Sequence, residues 1–356
     1  MIEPKYYNGT KLLSLTDING NKPSIYICTT NRTGGKTTYF SRLLVNRFLD
    51  KNEKFCLFYR FKDELDDVSE KFFKDVGSLF FPNYYMREES INKGTIKKLF
   101  LCEKNQADDK KNGRECGYAV AINVADKIKR VSHLLSDTKR IMFDEFQSET
   151  YHYCPNEVNK FLSLYTSIAR GQGEQSRYVP VFMIGNPVTL LNPYYVAMNI
   201  SVNLQRNTKY LRGDGYVLEQ GYVESAANAQ KESGVFRAFA NSEYAEYSAE
   251  GAYLNDSDSF IEKLTGKSTY LCTIKYEGVN YGIRSFAEQG VVYCDDRPDM
   301  TFARRIAVTT EDHNINYVML RSEDFLLANL RYYFERGCFR FKNLRCKECV
   351  IKSLSY

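Results

Sequence analysis

The stretch Thr30-Asn31-Arg32-Thr33-Gly34-Gly35-Lys36-Thr37 constrains this chain more than any other eight residues. It follows an apolar run, Ile25-Tyr26-Ile27-Cys28, and opens an amphipathic segment from Thr37 to Leu49. A strand that turns through glycines into a helix beginning Lys-Thr is the context a phosphate-binding loop requires. In such a loop backbone N–H groups cradle phosphate oxygens, Lys36 reaches the β/γ-phosphates and the Thr37 hydroxyl can ligate Mg²⁺. Thr30 stands where the strict pattern has glycine, so a β-branched residue begins the turn. Taken alone, the stretch also reads as a Gly-rich turn carrying a surface lysine.

A second stretch, Arg140-Ile141-Met142-Phe143-Asp144-Glu145, narrows the choice. It is an apolar strand ending in two adjacent carboxylates. At the strand's carboxyl end Asp144 can hold a metal's water shell, while Glu145 points elsewhere and can polarise an attacking water. Together the two stretches read as halves of an ATP-hydrolysis site with ATP and Mg²⁺ as ligands.

At 356 residues the chain is long enough for two domains with separate cores. No apolar run approaches the roughly 20 residues of a membrane helix. Met1-Ile2-Glu3-Pro4-Lys5 has no apolar stretch behind a charged start, so no signal peptide is expected and the chain reads as soluble and intracellular. Ten scattered cysteines then favour free thiols. Cys346-Lys347-Glu348-Cys349, even with Cys338, lacks a nearby histidine and reads as structural thiols rather than a zinc site. From Arg331 to Tyr356 there are seven basic and two acidic residues, an excess equal to the whole net charge of +5. Interleaved with Tyr332, Tyr333, Phe334, Phe339 and Phe341, that tail suits a polyanion partner, or else an ordinary helix with snorkelling cations.

The first 200 residues alternate apolar runs with helical stretches, as a parallel sheet covered by helices would. Lys54–Tyr59 is a second strand and exits into Arg60-Phe61-Lys62. Leu99–Cys102 and Tyr118–Ile122 look like a hairpin around a polar excursion, residues 103–117. A helix is expected from Asn156 to about Arg170, and a buried strand from Val179 to Asn186. Residues 202–233 read as a linker with some helix from Glu219 to Lys231. Short strands at 268–274, 281–283 and 290–294 and a helix from Ser322 to Glu335 follow, an α/β or α+β second domain.

Five stretches in their order now carry a resemblance. They are the loop with Arg32 inside it, Phe143-Asp144-Glu145-Phe146, Pro155-Asn156-Glu157-Val158, Gly185-Asn186-Pro187, and Leu191-Asn192-Pro193-Tyr194-Tyr195. Asn241-Ser242-Glu243-Tyr244 extends the match more weakly. The chain resembles the DNA-packaging motor ATPases (encapsidation proteins) of short-tailed bacteriophages that use a prohead RNA, related to terminase large-subunit ATPases.

That resemblance implies an α/β fold: a P-loop NTPase of the additional-strand catalytic-glutamate type over 1–201, a small linker domain over 202–233, and a ribonuclease H-like vestigial nuclease domain over 234–356. It implies that Thr30, Asn31, Arg32, Thr33, Gly34, Gly35, Lys36, Thr37, Thr38 and Asn186 surround the nucleotide. Thr37 and Asp144 would serve the metal, and Glu145 would be the catalytic base, with Lys36 on the phosphates. Arg170 matches an arginine finger that reaches the neighbouring subunit's ATP, mounted on Gly171-Gln172-Gly173. One of Lys127, Lys129 and Arg130 would serve the subunit interface. Arg60 and Lys62 would face the DNA channel. Asp295-Asp296, with Asp256 and Asp258, are the candidates for residual nuclease metal ligands, and read better as turn caps. The implied partners are double-stranded DNA, prohead RNA, the capsid portal protein and a homo-oligomeric ring, a pentamer, with no membrane. The implied location is the host-cell cytoplasm at the procapsid's portal vertex, and not the mature virion. Two other classes fit the loop: a P-loop kinase acting on a small acceptor, and a nucleic-acid scaffold using ATP as a structural ligand.

Overall fold

A computed structural model describes residues 6–104, 113–150, 152–171, 173–204, 208–240, 242–250 and 260–354. Residues 105–112 of the polar excursion, Gln172, Asn241, Asp256 and Asp258 lie outside them. The chain divides into two compact units, 1–197 with 204–255, and 198–203 with 256–356.

The first unit is built on a nine-stranded sheet. Its strands are β1 (Ile25–Thr29), β2 (Lys54–Tyr59), β3 (Tyr84–Ile91), β4 (Ile96–Glu103), β5 (Arg114–Ala121), β6 (Thr138–Asp144), β7 (Val181–Gly185), β8 (Tyr210–Gly213) and β9 (Tyr216–Gln220). They lie in the order β3-β4-β5-β2-β6-β7-β1-β9-β8. β5, β2, β6, β7, β1 and β9 run parallel, and β3, β4 and β8 add antiparallel edges. The central strands are apolar almost throughout because helices cover both faces of a parallel sheet. The Lys36–Lys51 helix, for example, buries Phe40, Leu44 and Phe48, with Phe40 packing 5.3 Å from the Phe182 ring of β7.

Strand order decides what meets at the sheet's edge. β7 lies between β1 and β6, pairing Thr29 with Gly185 on one side and Asp144 with Ile184 on the other. The carboxyl ends of β1, β6 and β7 therefore open at one place, where parallel sheets bind ligands.

Two features depart from the sequence expectation. Tyr84–Ile91 (Tyr-Tyr-Met-Arg-Glu-Glu-Ser-Ile) is too polar to announce a strand, yet it pairs with β4 along its whole length at the solvated edge. Within the stretch expected as a linker, β8 and β9 extend the first sheet, with Ile25–Thr29 paired to Tyr216–Gln220. Its helix begins at Glu224 rather than Glu219, since Glu219 is the buried penultimate residue of β9.

The second unit carries a six-stranded sheet, β14-β13-β10-β11-β12-β15. These are β10 (Thr269–Tyr276), β11 (Val279–Phe286), β12 (Val291–Asp295), β13 (Arg305–Ala307), β14 (Val318–Met319) and β15 (Phe339–Phe341). Leu326, Leu327 and Leu330 of the Asp324–Glu335 helix pack into its core, as do Cys346, Cys349 and Val350 of the Leu344–Leu354 helix. Both cysteines are free and fully buried. Asp295 accepts hydrogen bonds from Arg284 and from the Arg297 N–H, and Asp296 pairs with Lys342. The basic tail is partly neutralised by the same means: Arg340 pairs with Glu262, and Arg345 is buried, leaving Arg331, Arg336 and Lys352 exposed.

At the end of the first sheet away from β6's carboxyl end, Glu115 accepts from Lys54, Lys98 and Tyr118 at 2.6–2.7 Å. Burial alone would raise its carboxyl, but these donors outweigh burial and hold it at about 2 against an ordinary 4.5. A carboxyl depressed in the folded state contributes stability above its unfolded value and loses it as pH falls through the folded one. Urea midpoints of the native chain should therefore drop between about pH 4.5 and 2, and Glu115→Gln should flatten that limb.

Candidate active site

The turn out of β1 is built on two left-handed residues, Thr33 at φ 59° and Gly35 at φ 87°, and Gly35 caps the Lys36–Lys51 helix. Glycine takes that conformation without strain; a side chain on Gly34 would press to 3.0 Å from Val223. The turn is held from outside. Asn31, fully buried, receives the Val223 N–H at 2.9 Å and donates to the carbonyls of Val223 and Ala249. Gln230 donates to Thr33 and to the Arg32 carbonyl, and Ser248 ties Gln230 in place. Thr30 is buried and bonds the Asn31 carbonyl.

Lys36 is 8% exposed, and its ammonium donates to Asn186 Oδ1 at 2.6 Å. Among the described residues no carboxylate lies within ion-pair distance of it. Burial pushes the ammonium down from its ordinary range, with Asp144 opposing. Burial likewise pushes the Asp144 carboxyl up to about 6; Lys36 and the Thr37 hydroxyl oppose that shift while Glu145 adds to it. Thr37, Asp144 and Glu145 line one cleft of about 240 Å³, and Thr38 is half-buried beside Thr37. Glu145 also borders a larger cleft of about 580 Å³ with Arg32, Glu149 and Asn186.

Glu145 has φ 54°, and its N–H donates to Asp144 Oδ1 at 2.9 Å. A left-handed non-glycine residue persists where surroundings over-determine it, and Arg60 does so here. Arg60 is buried, clamps the carbonyls of Glu145 and Phe146 at 3.2 and 2.7 Å, and meets both oxygens of buried Glu157 at 3.1 Å. Arg60 is thus a correction to the sequence reading: its guanidinium is committed inside the fold, not offered to DNA. Lys62 is exposed and donates to the Lys93 carbonyl.

Sequence reasoning missed Glu149, Glu157, Gln230 and Tyr247. Glu149 accepts from Arg32, from Tyr247 at 2.6 Å and from Asn186. Burial would raise its carboxyl, but these donors hold it below the ordinary range. A search along the loop after Asp144 for a carboxylate to match Arg32 could have found it. Nothing local marks Tyr247, 98 residues from Glu149.

Arg170 stands apart from these residues. The 13-residue Glu157–Ala169 helix starts beside Arg60 and spans about 20 Å. It ends near the start of β6, where Arg177 donates to the carbonyls of Thr138 and Ile168. Arg170 is exposed there, 3.2 Å from the Ser132 hydroxyl, beside exposed Lys127, Lys129 and Arg130.

The donor set fits Mg²⁺ held with a nucleotide: one hydroxyl and one carboxylate, the usual small protein share when phosphates and water fill the remaining positions. A buried lysine with no carboxylate in ion-pair distance among the described residues, at a glycine turn that starts a helix, fits a phosphate chain. Fold and site define an α/β protein with a ligand site at the carboxyl edge of a mostly parallel sheet. The podovirus DNA encapsidation protein (Gp16) family matches residues 1–354, and the chain belongs to it. The DNA packaging protein of Bacillus phage phi29 is 26% identical over 355 residues, covering 99% of this chain and 96% of that one. That of Bacillus phage B103 is 24% identical over 328 residues, covering 90% and 92%. The solved bacteriophage phi29 viral genome packaging motor assembly aligns with a TM-score of 0.68 at 26% identity, covering 99% of this chain and 98% of that one. Among the described residues no helix is long and apolar enough to cross a membrane.

Arg60→Ala should destabilise the fold by about 3–5 kcal/mol, because it leaves the buried Glu157 carboxylate without its cation. Urea unfolding measures this.

Proposed function

We propose how this phi29-type packaging protein works: ATP hydrolysis drives double-stranded viral DNA into a procapsid through a ring of identical subunits at the portal. The supporting observation is the buried Lys36 ammonium, which among the described residues has no carboxylate within ion-pair distance, where Thr37, Asp144 and Glu145 converge. The placement of β7 between β1 and β6 supports a P-loop NTPase of the additional-strand type. The second unit's mixed sheet is read as the ribonuclease H-like domain, its exposed Arg331, Arg336 and Lys352 serving DNA and prohead RNA.

Lys36 and the turn's N–H groups bind and orient the phosphates. Thr37 and Asp144 would hold Mg²⁺, which neutralises charge building on the phosphate oxygens. Glu145, fixed by the Arg60 clamp, takes the proton from an attacking water. Arg32 leaves Glu149 for the phosphates when nucleotide enters. Arg170, a helix length from its own Lys36, serves the adjacent subunit's nucleotide, with the Lys127–Arg130 cations on the same interface. A guanidinium inserted there is worth roughly 10³–10⁵ in rate. Exposed Lys62 grips DNA phosphates without regard to sequence. Five subunits, absence from the mature virion and assembly in the host cytoplasm belong to the same reading.

Procapsids, prohead RNA, ATP and the chain, followed by nuclease digestion, should leave genome-length protected DNA, and none with Lys36→Ala. Glu145→Gln should bind ATP and turn over at least a hundredfold slower. Arg170→Ala should abolish turnover, and mixing it with Glu145→Gln subunits should restore part of it. Failure of every mixture to do so rejects action between subunits. Turnover that needs a small acceptor and ignores DNA would indicate a kinase instead.

A further inference from the structure

Glu149 stands on the loop that follows Glu145 and lines the larger cleft, of about 580 Å³, with Arg32, Glu145 and Asn186. Its half-buried carboxylate gathers donors from three separate parts of the chain. Arg32 Nη2 pairs with Oε1 from the glycine turn. The hydroxyl of Tyr247, a side chain 1% exposed, donates to the same oxygen at 2.6 Å. The Asn186 amide donates from just beyond β7. A guanidinium, a phenol and an amide converging on one anion form the kind of donor set that a phosphate oxygen takes.

Two further observations point to such a phosphate. Asn186 is shared, because its Oδ1 accepts from Lys36 at 2.6 Å. One amide and two hydrogen bonds therefore separate the Lys36 ammonium from the Glu149 carboxylate. Arg32 is also underused. Its Nη2 engages Glu149, while its buried Nε has no hydrogen-bond partner among the described residues. The rings of Tyr244 and Tyr247, 5.6 and 5.8 Å from the guanidinium, flank it beside the cleft. A guanidinium carries five donors in a planar fork suited to phosphate, and one contact to a carboxylate leaves most of that capacity unspent. A terminal phosphate and the Glu149 carboxylate are both negative, so they repel when they share these donors.

We propose that Glu149 stands in for the terminal phosphate of the nucleotide and competes with it for Arg32, Asn186 and Tyr247. Glu149 is then a specificity-determining residue, since it sets how much more tightly a nucleoside triphosphate binds than a diphosphate. The inference rests on the reading of the Lys36 turn as the phosphate site. A diphosphate leaves the three donors on Glu149, whereas a triphosphate must draw them away. Once the terminal phosphate departs, Glu149 retakes them.

Calorimetric titration of the full chain with Mg-ADP and with the non-hydrolysable Mg-AMP-PNP tests this. Glu149→Ala should tighten AMP-PNP binding about tenfold, the order expected when a charge-assisted contact no longer has to be broken, and leave ADP binding unchanged. Glu149→Gln, the same size but uncharged, should shift AMP-PNP binding the same way by a smaller factor. That variant keeps the test readable if the alanine chain does not fold. With Arg32→Ala already present, Glu149→Ala should lose most of its effect; a full effect there overturns the competition for Arg32. AMP-PNP binding unchanged or weakened in both Glu149 variants overturns the inference. Equal tightening of both ligands also overturns it, because that marks a general effect of charge. Lys36→Ala should weaken both ligands; if both bind it as they bind the native chain, the phosphate-site reading fails instead.

Discussion

A lysine ammonium taken out of water and donating, among the described residues, to a neutral amide is the constraint on which this site turns. Lys36 meets Asn186, while the negative charge that acts on it most strongly is Asp144, itself pushed toward protonation by burial. Burial disfavours the charged form of each group, and their mutual attraction offsets only part of that. On the proposed reading, a polyphosphate with its divalent cation would give Lys36 an anion and Asp144 a cation.

Keeping that arrangement intact falls to buried polar residues around it. Arg60 joins the exit of β2 to Glu157 and to the carbonyls of Glu145 and Phe146, which fixes a left-handed turn at the proposed base. Asn31 and Gln230 perform the same service for the glycine turn, binding it to chain 192 and 198 residues away. Such buried polar contacts, each satisfied, hold a backbone more firmly than a loop's own propensities could. Glu149 adds a third connection, because it gathers Arg32, Asn186 and Tyr247 on one carboxylate. The turn is thereby bonded to the 243–250 segment, whose Ser248 carbonyl accepts the Arg32 N–H.

Much of the first unit was legible in the sequence. β1, β2, β6 and β7 are continuous apolar runs, and each was placed to within a few residues because buried parallel strands leave that mark. β3 left none, since an edge strand with one solvated face admits Arg87, Glu88 and Glu89. β8 and β9 lay hidden in a polar stretch for a related reason. Val217 and Leu218 are fully buried, but they are too few beside Arg212, Asp214 and Gly215 to outweigh a linker reading. Arg60 shows the limit most plainly. A basic residue at a strand's exit looks identical whether it faces a polyanion or a buried glutamate 97 positions on.

Local order of residues determined the glycine turn, the strand before it, the helix after it and the paired carboxylates, because hydrophobic period and backbone permissiveness act over a few neighbours. Which of those pieces meet was decided by the tertiary structure alone. Strand order brings Asn186 beside Lys36, carries Arg170 a helix length away, and sets Glu219 and Tyr222 on the far side of β1. Pairing across a hundred or more residues depends on which buried faces and polar groups satisfy one another when the chain closes. No short window of sequence contains that information.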